Sequence, residues 1–124
     1  MSIIIIDDHK LIRESFCMIL NNTERYKVVA SCGTAEEGIR NAETLAPDIV
    51  ITDFNMPGMK GTDAIPLIKN VSPKTRFIGI SMHSIPAIAR KMIKCGALAY
   101  VTKKSPIEEL FAALEEVTRG KKYI

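Results

Sequence analysis

The stretch "IVITDFNMPGMKG", residues 49–61, runs an apolar, β-branched segment into a single aspartate and then into a Pro-Gly break. A strand this apolar is covered on both faces, the usual condition of a strand in a parallel sheet. Yet it ends on Asp53, whose ionised carboxylate is costly to hide. Asp53 is a turn residue, a metal ligand or a group that reacts, and the surrounding chain has to choose among these.

Four further apolar runs accompany it: "SIIIID" (2–7), "YKVVASC" (26–32), "TRFIGIS" (75–81) and "ALAYVTK" (97–103). Segments of helical period separate them, so strands and helices alternate as in a parallel α/β sheet. In "KLIRESFCMILNN" the residues Leu11, Ile12, Ser15, Phe16, Ile19 and Leu20 share one stripe. "TAEEGIRNAETLA" opens with Thr34 and has Glu37 three residues later, a capping box. "GTDAIPLIKNV" has helical period but carries Pro66, which should shift its start or kink it. "IPAIARKMIKCG" places Pro86 in a first turn and Gly96 as a stop. In "SPIEELFAALEEVTRG" Ser105 is the expected cap, Pro106 the first helical residue and Gly120 the end. Five βα units with right-handed crossovers make a flavodoxin-like, doubly wound (βα)5 fold with strand order 2-1-3-4-5.

Length and composition fit one domain. The chain has 124 residues, 47% apolar and 25% charged, which suits a packed core rather than disorder. The tetrad at residues 3–6 is far too short to span a bilayer, and no membrane association is expected. Cys17, Cys32 and Cys95 form no CxxC pair or zinc-type cluster, so they read as idle or buried thiols in a reducing cytoplasm. Residues 1–62 hold 6 basic and 9 acidic side chains, and residues 63–124 hold 11 and 5. The basic half lacks interleaved aromatics and reads as solvated helix faces more than a nucleic-acid surface.

In a sheet of this order, ligands bind beyond the carboxyl ends of the strands, at the switch between the first and third. The first strand ends in Asp7-Asp8, the third in Asp53, the fourth in Ser81 and the fifth in Thr102-Lys103. Taken singly, each is an ordinary cap, turn or surface residue. Their coincidence on one edge is what carries weight. Two carboxylates 4 Å apart repel by roughly 4 kcal/mol at an effective dielectric near 20, so three in one pocket call for a cation. Oxygen donors without a His or Cys cluster point to Mg2+, with Mn2+ as a second candidate. A dication, a lysine and a hydroxyl around a carboxylate suit phosphoryl transfer, in which Asp can serve as nucleophile.

Asp7-Asp8, Asp53 followed by Met56-Pro57-Gly58, Ser81 and Lys103 together resemble the receiver domain of two-component response regulators. The resemblance covers residues 1–124 and implies a phosphorylation switch rather than a conventional enzyme. It makes Asp53 the phosphoacceptor and gives Mg2+ to Asp7, Asp8, Asp53 and the backbone carbonyl of Asn55. Lys103 would pair with the phosphoryl oxygens, Ser81 would swing to them, and Tyr100 would be the switch aromatic that turns inward. "DDHKLIRESF" and "GALAYVTKKSPIEELFAALEEVTRGKKYI" resemble the NarL/FixJ branch. That branch implies a sensor histidine kinase as donor, a homodimer on phosphorylation, and DNA bound only through a helix-turn-helix domain that lies outside this chain. Lys104 follows Lys103 where many receivers have proline, which leaves a cis bond there in doubt. His83 reads equally as a rim residue that tunes water access or as an exposed loop histidine. His9 reads as a helix-start residue ahead of a ligand.

Two rival classes are weaker. An Mg2+-dependent phosphohydrolase with an Asp nucleophile needs a general acid two residues on, where Asn55 stands. A flavin module needs a Ser-, Thr- or Gly-rich phosphate loop after the first strand, where "DDHK" is acidic.

Overall fold

A computed structural model of the chain describes residues 1–123. Five strands alternate with five helices: β1 Ser2–Ile6, α1 Lys10–Asn21, β2 Lys27–Cys32, α2 Ala35–Leu45, β3 Ile49–Asp53, α3 Gly61–Val71, β4 Arg76–Ser81, α4 Pro86–Cys95, β5 Ala99–Thr102 and α5 Ile107–Thr118. The sheet order is β2-β1-β3-β4-β5 and every pairing is parallel, the expected flavodoxin-like arrangement.

Alternation along each strand divides the core into two layers. Ile3, Ile5, Ile49, Ile51, Ile78 and Ile80 point to α1 and α5, meeting Leu20, Leu110, Leu114 and Val117. Ile4, Ile6, Val50 and Phe77 point the other way, to Ala42 of α2, Ile65 and Ile68 of α3 and Met92 of α4. Every residue of β3 is buried, Asp53 included, whereas β2 alternates between exposed and covered positions as an edge strand does.

Several local expectations are corrected. Leu11 and Ser15 leave the expected α1 stripe for solvent: Leu11 is 81% exposed, and Met18 is exposed beside them. The α1 face that packs is instead Phe16, Cys17 and Leu20. Pro66 does not break α3, which runs through it from Gly61. Pro66 itself lies on the exposed side, where a missing backbone donor costs less. Helix α5 starts one residue later than expected, with Pro106 as cap, because the Ser105 hydroxyl pairs with Thr102 Oγ1 at 2.5 Å instead of capping. Thr34 caps α2 as expected, accepting from Glu37 N at 3.2 Å. Among the described residues no peptide bond is cis, so the Lys103–Lys104 bond is trans. No helix among them is long and apolar enough to cross a membrane.

One element was not foreseen. Tyr123 adds to the free edge of β5: its amide donates to Leu98 O at 2.8 Å, and its carbonyl accepts from Tyr100 N at 3.3 Å. The last described turn of chain therefore closes the sheet edge beside α5.

Candidate functional site

Strand ends, not loops, set the site's geometry. Backbone hydrogen bonds continue the ladder past the last paired side chains: Asp7 N to Cys32 O at 2.9 Å, Phe54 N to Ile80 O at 3.0 Å, and Lys103 N to Ser81 O at 2.7 Å. These fix Asp7, Asp53, Ser81 and Lys103 along one edge of the sheet. Gly61, the first residue of α3, makes the approach of that helix possible. A Cβ there would stand 2.3 Å from the carbonyl oxygen of Asp53, and only glycine leaves the space.

At the centre lies Lys103, whose side chain is 1% exposed. Its Nζ is 3.0 Å from Asp53 Oδ2 and from Asp7 Oδ1, and 2.9 Å from Asp7 Oδ2. Proximity to that last oxygen is not a directed bond: Asp7 Oδ2 is buried and has no hydrogen-bond donor. Burial pushes the Asp53 carboxyl up from an ordinary 3.8 to about 6. The hydrogen bond and charge of Lys103 oppose that rise, and the charge of Asp7 adds to it. Asn55 N donates weakly to Asp53 Oδ1 at 3.4 Å, while the Asn55 side chain is exposed.

A cation fits among these atoms. Three carboxylates face one ammonium, so two negative charges remain before His9 is counted. Donor atoms of Asp7, Asp8, His9 and Asp53 lie within 4.8 Å of one another, and Asp7 Oδ2 is a buried acceptor without a donor. A hard dication satisfies both the charge and the orphan oxygen, so the residues present fit one.

The hydroxyl of Ser81 is turned away from Asp53. It donates to His83 O at 3.2 Å and accepts from His83 N at 3.3 Å. Tyr100 is 8% exposed, and its hydroxyl donates to the same His83 carbonyl at 2.7 Å. Both candidate switch side chains thus meet on one backbone carbonyl, which the sequence could not have indicated because a carbonyl carries no residue-type signature. A cleft of about 280 Å³ opens above Asp53, lined by His9, Phe54, Asn55, Ser81, Met82 and His83 among others. His83 lines it and is also exposed in the loop between β4 and α4, so both positions considered for it apply.

His9 departs most from expectation. Its backbone is the cap residue of α1, as anticipated, but its ring turns into the acidic cluster. Nδ1 is 3.1 Å from Asp7 Oδ1, 3.4 Å from Asp8 Oδ1, 3.8 Å from Asp53 Oδ2 and 3.0 Å from Lys103 Nζ.

Comparison with known proteins agrees with this geometry. Residues 3–115 match the response regulator receiver domain. The oxygen regulatory protein NreC of Staphylococcus epidermidis is 35% identical over 125 residues, covering 100% of this chain and 57% of its own. The response regulator UvrY of Escherichia coli is 28% identical over 123 residues, covering 99% and 56%. The chain thus spans little more than half the length of these curated relatives. Among solved structures, a LuxR-family two-component response regulator from Aurantimonas superposes with TM-score 0.93 at 33% identity, over 99% of this chain and 88% of the other. The isolated receiver domain of RcsB from Salmonella enterica serovar Typhimurium, solved with the phosphomimetic BeF3−, gives 0.88 at 29% identity over 99% and 91%. By its sequence match, its strand order and its relatives, this chain belongs to the response regulator receiver domain family, alongside regulators of LuxR type.

Proposed function

We propose that the chain is a phosphorylation switch whose acceptor is Asp53. The observation that carries this reading is the buried Lys103 ammonium held 3.0 Å from Asp53 Oδ2, beside an acidic cluster that needs a cation. Asp7, Asp8, Asp53 and the Asn55 backbone carbonyl would hold Mg2+, with Mn2+ as the alternative. When bound, the dication supplies neutralisation of the phosphoryl oxygens, the main need of phosphoryl transfer.

This chain's own residues do the rest. A carboxylate oxygen of Asp53 attacks phosphorus, a mixed anhydride forms, and the bond to the donor nitrogen or oxygen breaks with its electron pair leaving on the donor. The donor is the phosphohistidine of a sensor kinase, or a small molecule such as acetyl phosphate. Lys103 is placed to follow the new charge from carboxylate to phosphoryl oxygen. Ser81 exchanges its bond with the His83 carbonyl for one to the phosphoryl group, and the 82–85 loop and Tyr100 follow. To reverse a 1:99 population, these contacts must supply about 5.5 kcal/mol of differential stabilisation. Two or three charge-assisted hydrogen bonds are of that order.

The output is a homodimer that brings together helix-turn-helix DNA-binding domains attached beyond this chain; the half-length match to curated regulators and the likeness to a DNA-binding response regulator of the LuxR family support the DNA-binding part of that reading. The setting is the cytoplasm, where three unpaired cysteines remain reduced. The direct test is labelling with acetyl phosphate and Mg2+: the parent protein should take up one acid-labile phosphoryl group and Asp53→Ala none. Equal labelling of the two proteins would remove Asp53 from the role.

A further inference from the structure

The ring of His9 has no part in the chemistry above, yet it is aimed at the centre of the site. Nδ1 lies 3.1 Å from Asp7 Oδ1, 3.4 Å from Asp8 Oδ1 and 3.8 Å from Asp53 Oδ2, with Lys103 Nζ 3.0 Å away. One ring nitrogen and the oxygens of three carboxylates therefore share a space in which all lie within 4.8 Å of one another. That is a mixed nitrogen and oxygen donor set around a single point. Within it the buried Asp7 Oδ2 has no hydrogen-bond donor, only the charge of Lys103 at 2.9 Å.

From this arrangement we infer that His9 Nδ1 is a metal ligand and gives the site a preference for transition-metal dications, in the range Mn2+ to Zn2+, over Mg2+. The inference rests on the reading of Asp53 and its neighbours as a cation-dependent phosphoryl site and adds to it the identity of the favoured ion. The chemistry is direct. Mg2+ is a hard ion that keeps oxygen ligands and waters, whereas imidazole nitrogen suits the borderline ions and their affinities rise along the first transition row. Asp7, Asp8 and Asp53 alone would serve either kind of ion, so selectivity falls to the single nitrogen. Position favours it too: His9 is the cap residue of α1, and its backbone N donates to Asp7 Oδ1 at 2.9 Å, which tethers the ring's own backbone to a neighbouring ligand. Half of the His9 side chain is exposed, leaving Nδ1 room to accept an ion arriving from the cleft.

The test compares Mg2+ with Co2+ and Zn2+ by calorimetry on the purified chain, the His9→Asn protein and the His9→Ala protein. Co2+ and Zn2+ should bind the parent more tightly than Mg2+. Both substitutions should weaken Co2+ and Zn2+ binding by about 10- to 100-fold, the usual cost of losing a group that supports a metal. Mg2+ affinity should stay within about 3-fold, since oxygen ligands remain. In protein labelled with 15N-histidine, Zn2+ should move the Nδ1 resonance of His9 into the metal-bound range while Nε2 keeps its proton.

Three results would overturn the inference: Co2+ and Zn2+ affinities unchanged by both substitutions, Mg2+ affinity falling in step with theirs, or a His9 Nδ1 resonance that Zn2+ leaves in place. In all three the parent would still bind a dication and label at Asp53, which leaves the phosphoryl-site reading intact. No dication binding and no labelling of the parent would sink both together.

Discussion

A single carboxylate shows how burial and neighbours compete. Asp53 sits at the end of a fully buried strand, so desolvation lifts its carboxyl to about 6 despite an adjacent ammonium. Because the folded state holds the proton more tightly than the unfolded chain, Asp53 contributes stability below pH 3.8 and loses it as pH rises towards 6. Without divalent ions, the stability of the parent relative to Asp53→Asn should fall by about 2 kcal/mol across that window, as urea titrations would report. A flat difference would mean that Lys103 already compensates fully. The backbone beside Asp53 is equally constrained. Gly61→Ala should slow labelling about 10- to 100-fold by displacing the Asp53 carbonyl it would strike, with helix content by circular dichroism unchanged. Gly58→Ala, whose Cβ would meet nothing but whose φ is 79°, should cost only about 1 kcal/mol of stability and leave labelling intact.

At the scale of elements, the proposed switch depends on how the loop beside the site is tied down. In the loop between β4 and α4 the His83 carbonyl receives the hydroxyls of both Ser81 and Tyr100 as well as the Ile85 amide at 3.1 Å. Tyr100 also donates its amide to Tyr123, so β5 links the loop to the added edge segment. Removing one hydroxyl leaves the other to satisfy the carbonyl, and the cost should be near 1 kcal/mol rather than a collapse. Tyr100→Phe should therefore label at a rate close to the parent. Its BeF3− complex should convert more completely, by about five-fold in the ratio of the two states, because the lost bond belongs to the unphosphorylated arrangement, as read from amide shifts of residues 82–85. An unchanged ratio would show that this bond holds the loop equally in both states. Helix α1 shows how a stripe deceives at this scale. Leu11, Ser15 and Met18 fall at i, i+4 and i+7 on one solvent face, and Leu11 stands roughly 180° around the helix from Leu20, so the expected stripe joined residues from two faces.

At the scale of the whole molecule, the ends of β1, β3, β4 and β5 share one edge, and the folded state concentrates the negative charge of three carboxylates there. An ion that binds only this state must stabilise it by mass action. Mg2+ at about 100 times its Kd should add about 2.7 kcal/mol to unfolding, and Asp7→Asn should lose that increment. Thermal melts with and without Mg2+ measure it, and an equal gain in Asp7→Asn would place the ion elsewhere.

The fold was legible because two periods alternate along the chain. Continuous Ile and Val runs separated by helical stripes admit few topologies once crossovers are right-handed. The polar residues that end those runs, Asp7, Asp8, Asp53, Ser81 and Lys103, were legible as one group for the same reason: topology puts strand ends on one edge. What the sequence alone determined was therefore which residues gather and what charge they bring. Only the tertiary structure decided how they face one another: that Lys103 bridges Asp7 and Asp53, that the ring of His9 turns inward, that one carbonyl of His83 holds both switch hydroxyls, and that Tyr123 closes the β5 edge. The physical reason is range. Periodicity and turn chemistry act over a few residues and fix which way each strand end points. Side-chain rotamers, backbone acceptors and edge pairings depend on partners as many as 96 residues away in sequence, as for Lys103 and Asp7, and those exist only once the sheet has formed.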